Sequence, residues 1–223
     1  MTSFADVLAR HVGSALAKQY ALGDVLRAKR YRLDEYRGFL EFDTGQRFPV
    51  QLLGRENREL QRWFWDSPDR VPSASPSAFS ALEKLQEVGQ AEGIEELLLP
   101  AVSLNRARGD ELALVASQLC EADCYFRIPR EGGARYVLLS DTPVCERRVL
   151  NPLRIIEVIE KALQLCTLDQ EQVIVPFLEQ QGFSVARQGE WYMVLTGDSL
   201  HVLLRFSPAG EFIEYRSKKI GED

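Results

Sequence analysis

Apolar positions recur at helical spacing over the first part of the chain and then switch to the alternation of strands. A helix is predicted from Thr2 or Ser3 and ends near Gly23 or continues to Arg27. Its buried stripe is formed by Phe4, Val7, Leu8, Val12, Leu16 and Tyr20. A β meander follows, because short apolar runs at 31–33, 38–42 and 48–53 are separated by polar turns.

The aromatic run Arg62-Trp63-Phe64-Trp65 ends this meander. Alternation along a strand places Trp63 and Trp65 on one face and Phe64 on the other, so we expect a strand that is buried on both faces. Such rings bury about 150–250 Å² each, and a core should therefore form around them. Residues 67–76 contain three prolines and three serines and are predicted to form a loop.

The rest of the chain repeats both kinds of pattern. We predict helices from about 76, 110, 152 and 167, a β hairpin at 124–139 and four short strands over 183–215. Segment 94–99 fits either a short strand or a helical turn, and Pro176 interrupts the last helix. Since strands and helices do not alternate one for one, the predicted class is α+β, with helices packed on antiparallel β meanders. We expect two packed subdomains, at residues 1–148 and 149–223.

Composition and charge exclude several classes of protein. Of 223 residues, 45% are hydrophobic and 27% charged, which is typical of a soluble globular protein. Neither a membrane-spanning apolar run nor a signal peptide is evident, so no membrane association and a cytoplasmic location are expected. The net charge of −6 argues against nucleic-acid binding and would suit a basic protein partner.

The cysteines do not form a metal-binding pattern. Zinc sites favour closely spaced Cys pairs, which are absent from the spacing of Cys120, Cys124, Cys145 and Cys166. We therefore expect no metal site and predict buried or reduced thiols, with a disulfide as the alternative.

The segment Gly197-Asp198-Ser199-Leu200 matches the nucleophile block of a lipase and esterase family. In that family the block lies near the N-terminus, and a later Asp-x-x-His supplies the base. Here only His201 follows, and no third group is in place to orient it. With no glycine-rich phosphate loop either, we expect no catalytic residue and no cofactor.

Residues 38–143 resemble an uncharacterised bacterial domain family of unknown function. The resemblance is carried by the segments 62–65, 89–94, 111–116, 124–129, 132–133 and 136–139. The resemblance implies that this segment shares the family's fold. It implies no catalytic residues, because the family has none that could be assigned to positions of this chain. The C-terminal segment resembles, more loosely, type III secretion chaperone-like domains, which bind partner proteins.

These observations predict a non-catalytic cytoplasmic bacterial protein that binds another protein. An immunity or antitoxin-type inhibitor and a chaperone-like adaptor both fit. The polar loop after the tryptophan strand is the expected contact region, with Asp66, Asp69 and Arg70 as candidate partner-binding residues. The alternative is a small-ligand-binding protein or enzyme that uses a cleft of carboxylates such as Glu121 and Asp123.

Overall fold

The computed structural model describes residues 2–146, 152–165, 169–195 and 200–219, and it confirms the α+β class. The helices are α1 (Phe4–Val25), α2 (Ser80–Glu92), α3 (Glu95–Leu98), α4 (Gly109–Leu119), α5 (Pro152–Leu165) and α6 (Gln170–Gln180). The strands are β1 (Tyr31–Asp34), β2 (Phe39–Phe42), β3 (Arg47–Asn57), β4 (Arg62–Trp65), β5 (Ala101–Ser103), β6 (Cys124–Arg130), β7 (Gly133–Leu139), β8 (Ser184–Gln188), β9 (Trp191–Leu195), β10 (Leu200–Phe206) and β11 (Phe212–Lys219).

The chain divides into two compact units. The first unit comprises Met1–Phe4 and Lys18–Arg147, and the second comprises Ala5–Ala17 and Arg148–Asp223. The sequence-based division instead assigned all of residues 1–148 to the first domain. A single long helix, α1, therefore supplies residues to both units.

The first unit is built on a seven-stranded antiparallel sheet in which β3 is the central strand. One path of pairing runs β1-β2-β3-β4-β5, and β7 joins β3 to β6. A bulge in β3 interrupts its register with β7 between Leu52 and Gly54. The bulge leaves the neighbouring Leu52 and Leu53 both fully buried, where regular alternation would expose one of them. Helix α4 packs against β3, β6 and β7.

The tryptophan strand, β4, lies at the centre of this core, as predicted, but only one face of the strand is fully buried. Trp63 is 0% exposed and packs edge-on against Trp65 and Tyr136, with ring centroids 5.3 and 5.1 Å away. Gly54 makes room for it, because a Cβ there would lie 2.5 Å from Trp63 Cζ2. Phe64, on the opposite face, is only partly buried, so the expectation of burial on both faces was wrong.

The second unit contains a four-stranded antiparallel meander in the order β11-β10-β9-β8. Its buried core joins α6 to the sheet and consists of Ile174, Leu178, Val194, Leu204 and Phe206. Gly13 of α1 lies against α6, since an added Cβ would lie 2.6 Å from the Phe177 ring. Pro176 lies within α6, as the sequence indicated, and Asp169 caps this helix. Residue 167, where this helix was predicted to begin, lies outside the described residues.

Two boundaries differ from the predicted ones. Helix α1 ends at Val25, between the two expected positions. The ambiguous segment 94–99 contains the short helix α3, and strand β5, which we did not predict, follows it and pairs with β4. Within the described part of the chain, no helix combines the length and apolar character needed to cross a membrane.

Candidate functional site

The less buried face of the tryptophan strand borders a charged cleft in the first unit. Strand pairing sets Arg55 of β3 opposite Phe64 of β4 on one side and opposite Arg135 of β7 on the other. Directly opposite residues in antiparallel strands project from the same face of the sheet. Phe64, Arg55 and Arg135 therefore form a row across three strands, with the tryptophan core on the reverse face.

This cleft has a volume of about 550 Å³. Four arginines line it, and we call it the arginine cleft: Arg55, Arg70, Arg130 and Arg135. Glutamates 35, 56 and 131 also line it, whereas Phe64 and Ala134 are the only apolar side chains among its described lining residues. The lining is thus mostly polar and charged, unlike the mainly apolar walls of typical small-molecule sites.

A buried ion network forms the floor of the cleft. The Arg135 guanidinium donates to Asp66 Oδ2 at 2.8 Å and to Glu35 through its other terminal nitrogen. Arg55 Nε lies 3.3 Å from Asp66 Oδ1. The Asp66 side chain is 0% exposed and that of Arg135 is 10% exposed. A buried charge is tolerated when it is paired and hydrogen-bonded, so the network holds both side chains in one arrangement.

Two arginines at the rim are available for other contacts. Arg70 and Arg130 are exposed, and neither forms an ion pair with a described residue. The Arg70 guanidinium lies 5.2 Å from the centroid of the Phe64 ring, a cation–π contact that holds it beside the cleft. The rim therefore presents two guanidinium groups that can each bind a carboxylate or phosphate in bidentate fashion.

The β6–β7 hairpin places Arg130 at this rim. Gly132 has a φ of +72°, a conformation that glycine adopts without strain. At Gly133, an added Cβ would lie 1.9 Å from the carbonyl oxygen of Glu56, so only glycine allows this strand to approach β3 here. The turn that the sequence indicated at 130–133 therefore also determines the position of a cleft residue.

The three candidate contact residues occupy different environments. Asp69 and Arg70 are exposed, and Arg70 lines the cleft. Asp66 is 3% exposed and belongs to the ion network, so its expected position in an exposed loop was wrong. The reason is that its backbone N–H still pairs with Leu53 O, which extends the sheet one residue beyond β4.

The carboxylates of the alternative hypothesis do not converge on a cleft. Glu121 is exposed and accepts a 2.7 Å hydrogen bond from Lys84, which lowers the pKa of the Glu121 carboxyl. Asp123 Oδ2 instead accepts bonds from the backbone N–H and hydroxyl of Thr142, at 2.7 and 3.1 Å. The Glu121 and Asp123 contacts each link two separate segments of the fold. Residues 197–199 of the lipase-like block lie outside the described residues.

A tyrosine pair lies on the reverse face of the sheet. Burial raises the pKa of both Tyr125 and Tyr136. Tyr136 donates to Glu56 at 3.2 Å and accepts from Arg127 at 3.1 Å, while Tyr125 donates to Asp110. Each hydroxyl thus has a partner, which is the condition for burying a tyrosine in a core.

Sequence reasoning missed Glu35, Arg55, Arg130 and Arg135 as cleft residues. Arg135 did carry a signal, because it precedes the apolar run Tyr136-Val137-Leu138-Leu139 within a single strand. A charged side chain inside a central strand needs a buried partner. That partner, Asp66, is 69 residues away in the chain, and no local pattern connects the two.

Cys120 is a half-buried thiol and Cys124 is a buried one. Burial raises the pKa of the Cys120 thiol to about 11, which keeps it protonated and unreactive at neutral pH. For these two residues, the prediction of reduced thiols agrees with the structure.

Comparison with known proteins identifies a family but no characterised relative. No curated protein matches the chain, and no solved structure does so either. The model of DUF6882, a family of unknown function, matches residues 5–142. This range begins well before the resemblance at residues 38–143 and includes α1 from its second residue, the whole seven-stranded sheet and the arginine cleft. The chain belongs to the DUF6882 family of unknown function.

Proposed function

We propose that this chain binds another protein and that the arginine cleft receives an acidic segment of the partner. The observation that carries this proposal is the pair of rim arginines, Arg70 and Arg130, exposed and without an ion-pair partner among the described residues. Arginine is enriched at protein interfaces, where its planar fork binds carboxylates.

The lining of the cleft favours a protein segment over a small apolar ligand. Apolar side chains are scarce, and Arg55 is 43% exposed, so the cleft is open to water. Partner carboxylates could reach the rim guanidinium groups while an apolar side chain covers the Phe64 ring. The rigid floor formed by Asp66 and Arg135 would keep the contact surface in place before binding.

The acidic net charge of the whole chain does not conflict with a local basic site, because the two act over different distances. The charge of −6 describes the whole chain and was our reason to expect a basic partner. At about 0.15 M salt, however, interactions between exposed charges are screened beyond roughly 8 Å. The guanidinium groups within contact distance therefore determine which side chains bind in the cleft, and a partner that is basic elsewhere remains compatible with this site.

Two roles in the bacterial cytoplasm are consistent with this binding: an immunity or antitoxin-type inhibitor, and a chaperone-like adaptor. They differ in what happens to the partner. An inhibitor forms a stoichiometric complex that abolishes the partner's toxic activity, whereas an adaptor leaves the partner competent after release. An activity assay on a captured partner, with and without this chain, distinguishes the two.

Affinity capture from the native cytoplasm with charge-reversal variants tests the proposal. Arg70→Glu combined with Arg130→Glu should abolish capture of a stoichiometric partner, because both rim contacts become repulsive. The matched control is Arg27→Glu, at an exposed arginine of the same unit that does not line the cleft. Capture should also weaken as salt rises. Equal capture by the wild-type chain, the double variant and the control would place the partner elsewhere on the surface.

A further inference from the structure

Strand β11 is an exposed edge of the second unit's sheet. Among the described strands it pairs only with β10, through seven residue pairs between Phe212 and Lys219, with a bulge that leaves Ile213 unpaired. Its large side chains are unusually open to water: Phe212 is 38% exposed, Ile213 49% and Tyr215 69%. An exposed edge strand presents a row of unpaired backbone N–H and C=O groups that can pair with another strand.

The opposite edge of the same sheet lacks these features. Strand β8 has five residues, Ser184–Gln188, and its exposed positions are serine, alanine, arginine and glutamine. Short polar edges of this kind are common means of preventing strand addition. Strand β8 therefore lacks both the length of β11 and its exposed large apolar side chains.

The charges along β11 are complementary to those of the same strand running in the opposite direction. From Glu211 the sequence reads Glu-Phe-Ile-Glu-Tyr-Arg-Ser-Lys-Lys, with acidic residues on one side of Tyr215 and basic residues on the other. If two copies pair antiparallel about Tyr215, Glu214 of each faces Arg216 of the other. Opposite charges across strands stabilise a pair, and like charges destabilise it.

The neighbouring symmetric registers each place two like charges on the axis. Centring the pair on Glu214 would set the two Glu214 carboxylates face to face, and centring it on Arg216 would do the same with two guanidinium groups. Residues that face each other across an antiparallel pair must project from the same face, so a symmetric pair can shift only from one residue centre to the next. The charge pattern therefore selects Tyr215 as the centre.

Arg216 and Glu214 are already positioned on one face of the sheet. Glu214 accepts from Arg205 at 2.8 Å and lies 3.4 Å from Arg216, whose guanidinium is 4.6 Å from the centroid of the Trp191 ring. These contacts restrict both side chains before any partner arrives, which lowers the entropic cost of an intermolecular ion pair.

We propose that β11 pairs antiparallel with β11 of a second copy of this chain, about a two-fold axis at Tyr215, to form a dimer with a continuous eight-stranded sheet. The interface is isologous, because each copy offers the same strand. It is separate from the arginine cleft, which belongs to the other unit.

Complementary single variants test the proposal. Sedimentation equilibrium of the wild-type chain should give about twice the chain mass of 25.3 kDa. Arg216→Glu alone and Glu214→Arg alone should each be monomeric, because each sets two like-charge pairs across the axis. An equimolar mixture should recover the dimer, because both cross-axis pairs in the heterodimer are again oppositely charged.

A control separates this effect from the loss of the Arg205 contact. Glu190 also lies near Arg205, at 3.7 Å, but on β9's preceding turn rather than on β11, so Glu190→Arg should remain dimeric. A monomeric wild type, single variants that stay dimeric, or a mixture that stays monomeric would each overturn the proposal. Recovery in the mixture also shows that both variants are folded.

Cysteine crosslinking gives an independent readout of the register. Facing Cα atoms in an antiparallel pair lie about 4.5–5.5 Å apart, within disulfide range. Tyr215→Cys should therefore form a covalent dimer on mild oxidation. Tyr36→Cys is the matched control, since Tyr36 is 76% exposed and lies in the first unit. Equal crosslinking at both positions would overturn the register centred on Tyr215.

Discussion

Substitution of Asp66 should strongly destabilise the first unit. The Asp66 carboxylate is fully buried and bonds to the nearly buried Arg135 guanidinium at 2.8 Å, with Arg55 3.3 Å away. In Asp66→Ala, Arg135 keeps only its contact with Glu35. The variant thus leaves the buried Arg135 guanidinium with one of its two carboxylate partners.

Breaking a buried ion pair by removing one partner costs about 3–5 kcal/mol. The lower end applies here because Arg135 retains Glu35, and because Arg55 is 43% exposed and can be solvated instead. We therefore expect Asp66→Ala to lower the free energy of unfolding by about 3 kcal/mol. Asp66→Asn should cost roughly half as much, since an amide oxygen still accepts from Arg135 without the charge.

Urea denaturation followed by tryptophan fluorescence measures this loss. A Trp191→Phe background removes the signal of the second unit, so that the remaining emission comes from Trp63 and Trp65 beside the network. Asp69→Ala is the matched control, at an exposed aspartate three residues further on. If Asp66→Ala and Asp69→Ala have the same stability to within about 0.5 kcal/mol, the ion network does not stabilise the unit.

Three further predictions concern stability. Gly54→Ala should lower the free energy of unfolding by about 1–3 kcal/mol, because the added Cβ would overlap the Trp63 ring. Gly23→Ala, which has open space at its Cβ, should be neutral or stabilising in the same urea assay. Folding raises the pKa of Cys120 from 9.0 to about 11, so the free energy of unfolding should decline as the pH rises between those values. Cys120→Ala should flatten this measured dependence on pH. Pro176→Ala should raise the melting temperature, since proline removes a backbone hydrogen bond inside α6; an unchanged or lower value would show that the helix is already adapted to it.

Local patterns predicted most elements of this fold. The stripe from Phe4 to Tyr20 repeats at helical spacing, and α1 forms because one face can then be buried along its length. The 43–46 and 130–133 turns contain glycines that adopt positive φ, so both hairpins could be located from the sequence. The errors concern elements whose stability is not local. Strand β5 is three residues long and exists because β4 offers it a partner.

The candidate site was far less predictable. Arg70 was a candidate because its loop is polar, but nothing in the loop indicates that its guanidinium rests on the Phe64 ring. Asp66 has the same sequence character as Asp69, and yet one is buried in an ion network and the other is exposed. Their difference depends on the register of β4 with β3, which continues one backbone hydrogen bond past Trp65.

The sequence alone therefore determined most of the secondary structure, the α+β class and the central position of the tryptophan strand, because propensity, periodicity and turn chemistry act over a few neighbouring residues. It also contained the charge order of β11. Only the tertiary structure decided that Arg55, Phe64 and Arg135 meet in one row and that β11 lies at an edge. Both outcomes depend on strand order and register, and these are set by pairing between segments that are distant in the chain.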